Sequence, residues 1–364
     1  MIINQIETMR LSVPLKSPFK TALRTVVTAE SIIVKITCEN GIRGWGEAPP
    51  THVITGDSLD GIEGAVHHIF KPFLLGKNLL AYEAIFQGID QSAIGNTSAK
   101  AAVDMAIYDC LAQNSNLPLY QFLGGDRNRL ETDFTVSVNS PDEMGEDAVR
   151  YVSEGFTTLK VKVGKDEAAK DLARLKAIRG KVGPDIKIRI DANQGWTSKE
   201  AISTIRKMEE LGLNIELVEQ PVHKDDLEGL KKVTDSVDTP IMADESVFSP
   251  NDALKVLLTR SADLINIKLM KAGGIHKALL ISKMAELHGV ECMVGSMIES
   301  KLGITAAAHF AASQKNITRF DFDAPLMLSK DAFLGGVQYN GRELLLTDDY
   351  GLGIQGVMEG GFIR

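Results

Sequence analysis

The stretch "LKVKVGKDEAAKDLARLKAIRGKVGPDIKIRIDA", residues 159–192, decides how the chain is read. Two short runs rich in β-branched residues, "LKVKV" and "IKIRIDA", bracket a segment of helical texture, which is the signature of a strand–helix–strand unit. In the first run Lys160 and Lys162 lie two apart and so project from the same side of one strand. Burying two ammonium groups is costly unless something compensates them.

The same unit recurs outward from this stretch. After "LGGD" at 123–126 come "FTVSV" from Phe134, "LKVKV", "IKIRIDA", "IELVEQP" from Ile215, "PIMADES" from Pro240, "LINIKL" from Leu264, "VECMVGS" from Val290 and "ITRFDF" from Ile317. Eight units without a reversal of pattern favour an α/β fold of the (β/α)8 type, a TIM-like barrel, over an open doubly wound sheet. Polar residues near the run ends fall at Lys162, Asp191, Glu219, Asp244, Lys268, Ser296 and Asp321, at steps of 24 to 29 residues. The carboxyl ends of barrel strands form the active face, so these positions define one ring.

Upstream, "ESIIVKITCENGIRGWGEAPP" alternates apolar and polar residues around an Asn40–Gly41 turn, then yields to helical periodicity in "AKAAVDMAIYDCLAQ". Residues 1–125 are expected to form an α+β capping domain, residues 126–325 the barrel, and residues 326–364 a segment returning to the cap. At 364 residues with 44% apolar and 24% charged residues, the composition is that of a folded chain. A net charge of -8 and the lack of a basic stripe argue against nucleic acid. Cys38, Cys110 and Cys292 lack CxxC spacing, and no run of eighteen apolar residues or secretory leader is seen. A cytoplasmic protein without a membrane partner is expected, assembled as a homo-oligomer.

Asp191, Glu219 and Asp244 end three successive strands and would sit side by side. Singly, each could cap a helix or form a rim salt bridge; together they repel unless a cation joins them, and an all-oxygen donor set points to Mg²⁺, with Mn²⁺ as the alternative ion. Lys162 and Lys268 lie four strands apart in a ring of eight and so face each other across the mouth. A lone strand lysine usually packs its stem on apolar surface, but this pair would place one amine on each face of a substrate carbon. Lys160 is expected to contact the substrate carboxylate and, with the cation, to favour the neutral amine of Lys162. The chemistry implied is removal of a proton α to a carboxylate, with the cation stabilising the charge that develops. The histidines do not recur at strand ends and read as surface or packing residues; Cys292 reads as a core thiol.

"LKVKVG", "RIDANQGW", "VEQP", "ADES" and "NIKLMKAGGI" together resemble the muconate-lactonising subgroup of the enolase superfamily, and "AAVDMAIYDCLAQNSNLPLYQFLGG" is similar to its junction between cap and barrel. The resemblance implies an α+β cap over a modified barrel, Mg²⁺ on Asp191, Glu219 and Asp244, and acid–base roles for Lys162 and Lys268, a pairing already familiar in that superfamily. Asn193 would support the ligands at most. The subgroup includes cycloisomerases, o-succinylbenzoate synthases, N-acylamino acid racemases and dipeptide epimerases. "DFDAP" places Asp321 and Asp323 on one face of the last strand, across from the metal, where they suit an ammonium group. Here the chain resembles the dipeptide epimerases acting on L-Ala-D/L-Glu, released from murein, in which such a DxD holds the dipeptide ammonium. By the same likeness Arg24 would meet the glutamate side-chain carboxylate, and Thr135, Ser296 and Ile298 would line the substrate.

Overall fold

A computed structural model describes residues 1–358. Three antiparallel strands open the chain, β1 (Ile3–Lys20), β2 (Thr25–Cys38) and β3 (Arg43–Ala48), in the order β1-β2-β3. Gly41, at φ +84°, makes the tight turn between β2 and β3, and its N–H donates to Cys38 O. The hairpin between β1 and β2 ends in residues 21–24, so Arg24 sits on a projecting loop. Helices α1 (Tyr82–Ser92) and α2 (Thr97–Asn114) follow.

Although its sequence reads as periodic, α2 is buried all round from Ser98 to Ala112. The reason is close backbone approach: a Cβ on Gly44 would stand 2.0 Å from Ala106 O, and one on Gly46 1.9 Å from Ala102 O. The cap strands therefore press on one side of the helix while the barrel covers the other, leaving no face for water.

Eight parallel strands follow in sequence order: β4 (Phe134–Val136), β5 (Thr158–Lys162), β6 (Lys187–Asp191), β7 (Ile215–Glu219), β8 (Ile241–Ala243), β9 (Leu264–Ile267), β10 (Glu291–Val294) and β11 (Ile317–Phe320). The main connecting helices are α3 (Pro141–Ser153), α4 (Ala168–Val182), α5 (Ser198–Glu210), α6 (Leu227–Thr234), α7 (Pro250–Thr259), α8 (Ile275–Leu287) and α9 (Lys301–Ser313). Local signals fix their starts: Ser140 with Glu143 and Thr197 with Glu200 form capping boxes, and Asp226, Ser249 and Ser300 cap α6, α7 and α9. The curled sheet closes without a ladder, through Asp133 N–H to Phe320 O (3.3 Å), Phe322 N–H to Thr132 Oγ1 (2.8 Å) and Thr135 N–H to Asp323 Oδ2 (2.6 Å).

The barrel interior is divided. Leu217, Met242, Leu264 and Met293, from β7 to β10, form an apolar cluster of their own. On the other half Arg189 pairs with Asp133 (2.8 Å) and Glu216 (2.8 Å), and Arg319 with Glu216 (3.1 Å). Ion pairs thus fill the part of the barrel beside Lys160, whose register partner on β6 is Arg189.

Residues beyond the barrel return to α2 and β1: Leu119 N–H donates to Gly351 O, Leu352 N–H to Asp109 Oδ1, and Ser329 N–H to Pro14 O. Residues 359–364, the end of the segment expected to return to the cap, lie outside the described residues. Among the described residues no helix is long and apolar enough to cross a membrane.

Candidate active site

β5, β6 and β7 each end on a charged residue, Lys162, Asp191 and Glu219, while Asp244 and Lys268 immediately follow β8 and β9. Parallel pairing sets Lys162 beside Asp191 and Asp191 beside Glu219. Lys162 and Lys268 both line a pocket at the carboxyl ends of the strands, together with Thr135, Asn193, Asp321 and Asp323. Ser296, Met297 and Ile298 form another wall, and the cap supplies Phe19, Arg24, Val53 and Ile54. The Lys162 ammonium lies 6.0 Å from the Phe19 ring centre, so an aromatic face of the cap covers one of the two amines.

Lys160, expected to contact the substrate carboxylate, is 1% exposed and is not among the residues that line this pocket. Its Nζ is held among three buried acids, at 2.8 Å from Asp321 Oδ2, 2.8 Å from Glu219 Oε2 and 3.3 Å from Asp191 Oδ2. Burial opposes its charge, but Asp321, Glu219 and Asp191 outweigh that cost and hold its pKa well above the usual lysine value. Lys162 Nζ lies 2.5 Å from Asp191 Oδ2, and Lys268 Nζ 2.8 Å from Asp244 Oδ2. Burial likewise works against the Lys268 ammonium, yet Asp244 and Glu219 raise its pKa.

The carboxylates split in response. Burial would raise Asp191, but Lys162, Lys160 and Lys268 bring it down to about 2. Asp244 is held far below the usual range against burial, chiefly by Lys268 and Lys271. Glu219 is pushed up to about 7 by burial and then by Asp191, and Glu245 to about 8 by burial and Asp244.

Among the described residues no group of three or more His, Cys, Asp or Glu stands ready spaced as a cation cage. Lysine ammonium groups supply the positive charge between these acids. The donor set nonetheless fits a hard divalent cation: Asp191, Glu219 and Asp244 are wholly buried oxygen donors at adjacent strand ends. Glu219 Oε2 and Asp244 Oδ1 accept no hydrogen bond of good geometry, although lysine nitrogens lie nearby, and Asn193 Oδ1 and Glu245 Oε2 accept none either. Buried oxygens left this way are costly without a cation.

Asp321 and Asp323 both border the pocket. Burial and then Asp321 push Asp323 up to about 7, whereas Lys160 and Lys162 overcome burial to lower Asp321. The Arg24 guanidinium has no hydrogen bond or acidic partner among the described residues, and burial lowers its pKa. An arginine half-buried in a pocket wall without a partner is poised for an anion from outside.

Several residues of the site went unread in the sequence. Lys271, fully buried, reaches Asp244 Oδ1 at 2.6 Å and also the Asp244 and Asn266 carbonyls. Its signal was the spacing in "KLMK", where the short helix Leu269–Ala272 turns it back toward Lys268. Asn193, expected only to support the ligands, reaches the pocket itself as well as donating its backbone N–H to Asp191. Phe19, Val53 and Ile54 carry no local signal, since only docking of the cap brings them to the barrel mouth.

A barrel of this kind, capped by an amino-terminal α+β lobe and carrying lysines beside strand-end acids, defines a class, and most of the chain matches it. Residues 5–124 match the family described as "Mandelate racemase / muconate lactonizing enzyme, N-terminal domain", and residues 143–359 match "Enolase C-terminal domain-like". The chain belongs to the enolase superfamily, of the muconate-lactonising type. It is 67% identical to the L-Ala-D/L-Glu epimerase of Bacillus subtilis, over 98% of this chain and 97% of that one. The structure of a substrate-liganded complex of that epimerase superposes with a TM-score of 0.98, covering 98% of this chain and 100% of that one. A dipeptide epimerase from Enterococcus faecalis, complexed with Mg and the dipeptide L-Leu-L-Tyr, is 46% identical at a TM-score of 0.95, covering 98% and 100% of the two chains.

Proposed function

We propose that this protein is an isomerase that epimerises the carboxy-terminal residue of a dipeptide, L-Ala-D/L-Glu, by 1,1-proton transfer at Cα. The observation that carries the reading is the placement of Lys162 and Lys268 on β5 and at the end of β9, four strands apart in the ring and lining one pocket. One lysine as neutral amine accepts the Cα proton, and the other as ammonium returns a proton to the opposite face. Reversal of the two roles serves the other epimer.

Asp321 and Asp323 accept hydrogen bonds from the dipeptide ammonium, and Arg24 meets the side-chain carboxylate of the glutamate residue. Thr135, Ser296 and Ile298 hold the dipeptide between those two ends, while Phe19 keeps water from Lys162. Asp191, Glu219 and Asp244 would hold Mg²⁺. When bound, the cation supplies positive charge against the negative charge that builds on the substrate carboxylate as the proton leaves. Relatives that act on dipeptides, among them one whose structure holds Mg, support this assignment. Peptides released from murein are the proposed source of substrate.

Incubation with Mg²⁺ and a panel of dipeptides in D₂O, with deuterium at Cα followed by NMR, tests the reading. Exchange into L-Ala-L-Glu is expected. Exchange into N-acylamino acids but into no dipeptide would replace this function with that of a racemase on the same scaffold.

A further inference from the structure

Near the end of β3, the side chain of Glu47 reaches from the cap to the start of α9. Glu47 is wholly buried and accepts four hydrogen bonds: from Ser31 Oγ (2.7 Å) and Ser300 N–H (2.9 Å) at Oε1, and from Ser300 Oγ (2.6 Å) and Gly303 N–H (2.8 Å) at Oε2. Three of the four come from the start of α9, some 250 residues away in sequence. The close packing of Gly44 and Gly46 on α2 holds the strand that carries this carboxylate.

A second buried acid joins it. Glu299 Oε1 accepts the N–H of Met297 at 2.8 Å, folding the loop after β10 back on itself. Both carboxyls sit over Gly303, where a Cβ would stand 2.4 Å from Glu299 Oε2 and 3.1 Å from Glu47 Oε2. Burial and then Glu47 push Glu299 up to about 8, so it stays protonated at neutrality and the two acids can share this space. The segment these bonds hold, Ser296 to Ile298, is a wall of the pocket, and Ser296 Oγ also donates to Asp321 O at 3.4 Å.

We infer that Glu47 and Glu299 are positioning residues: together they fasten the cap to the loop after β10 and fix Ser296–Ile298 against the dipeptide. Neither touches substrate; they act through the wall they hold. The inference rests on the proposed dipeptide activity for its kinetic consequence, whereas its structural consequence needs no substrate.

The test compares Glu299→Ala, Glu299→Gln and Ser300→Ala with the unaltered protein, by amide hydrogen exchange without substrate and by kinetics with Mg²⁺ and L-Ala-L-Glu. In Glu299→Ala, exchange over residues 295–300 is expected to rise about tenfold while the barrel strands stay protected, and KM to rise about tenfold with kcat falling less than about threefold. Glu299→Gln keeps the shape of a protonated acid and an acceptor for Met297, so both readouts return to within about twofold of the unaltered protein. Exchange and KM that remain within about twofold in Glu299→Ala, or a Gln variant as impaired as the Ala variant, would overturn the inference. If Glu299→Ala does not fold, Ser300→Ala, which removes one bond to Glu47 together with the hydroxyl that caps α9, decides: faster exchange over 295–299 with α9 still protected supports the role, and unchanged exchange there, or loosening of α9 alone, refutes it. A protein that turns over no dipeptide would sink the proposed activity while leaving the exchange comparison decisive.

Discussion

Lys160 Nζ lies 2.8 Å from Asp321 Oδ2, and the same nitrogen lies 2.8 Å from Glu219 Oε2. One buried ammonium therefore joins the acid proposed to receive the substrate's amino end to an acid proposed to hold the metal. Both ends of the site are set by a single strand position.

Replacing that residue leaves three buried carboxylates without their shared cation. Lys160→Met is expected to destabilise the metal-free protein by about 3–5 kcal/mol in urea unfolding, and added Mg²⁺ should recover part of the loss. A loss below about 1 kcal/mol would mean that Lys160 is dispensable to the acid cluster.

Asp321→Asn keeps the shape but weakens the acceptor for an ammonium group. The KM for L-Ala-L-Glu should rise by roughly 10- to 100-fold, the worth of about 1.5–3 kcal/mol for a hydrogen bond to a charged group. Binding of an N-acyl analogue that lacks the ammonium, measured as an inhibition constant, should change much less. Equal losses for both ligands would remove the recognition role.

Arg24→Met tests the other end. Values of kcat/KM for L-Ala-L-Glu are expected to fall roughly 100-fold, about 2.7 kcal/mol of charge-assisted bonding, whereas L-Ala-L-Ala, with no side-chain carboxylate, should be nearly unaffected. A parallel fall for both dipeptides would contradict the assignment.

The folded protein should lose stability as pH rises from about 6.5 to 8. Burial lifts Glu219, Asp323 and Asp109 to about 7, and Glu245 and Glu299 to about 8. Each binds its proton more tightly folded than unfolded, so the folded chain holds more protons across this window and stability falls with rising pH, by up to about 1.4 kcal/mol per unit for each group titrating. His309, pushed down to about 3 by burial, acts oppositely but only below the ordinary histidine range. Thermal unfolding of the metal-free protein across that window should show a falling midpoint, flattened by Mg²⁺; a level or rising profile would refute it.

What could be read from the residues alone follows physical lines. Strand ends were legible because each β-branched run stops at a polar residue, and a parallel barrel sends all those ends to one mouth. The partners of those residues were not. Lys160 and Lys162 share a face by the period of two, yet one is bonded beneath the pocket and the other borders it, a difference set by depth along the strand and by acids on strands distant in sequence. Lys271 owes its place to one turn of helix after Lys268. The burial of α2 depends on two glycines of a different element, and its pattern shows no polar face to betray the cap and barrel on either side. Glu47 carried no signal, because most of its partners lie at the start of α9, far away in sequence.

The central claim is that one stereocentre is met by two lysines from opposite faces, and stereochemically resolved exchange in D₂O tests it most directly. Lys162→Ala and Lys268→Ala should each abolish epimerisation, while each still exchanges the Cα proton of one epimer only, L-Ala-L-Glu in one variant and L-Ala-D-Glu in the other. If either single variant still interconverted the epimers, or if both variants exchanged the same one, two opposed lysines could not be the acid and base.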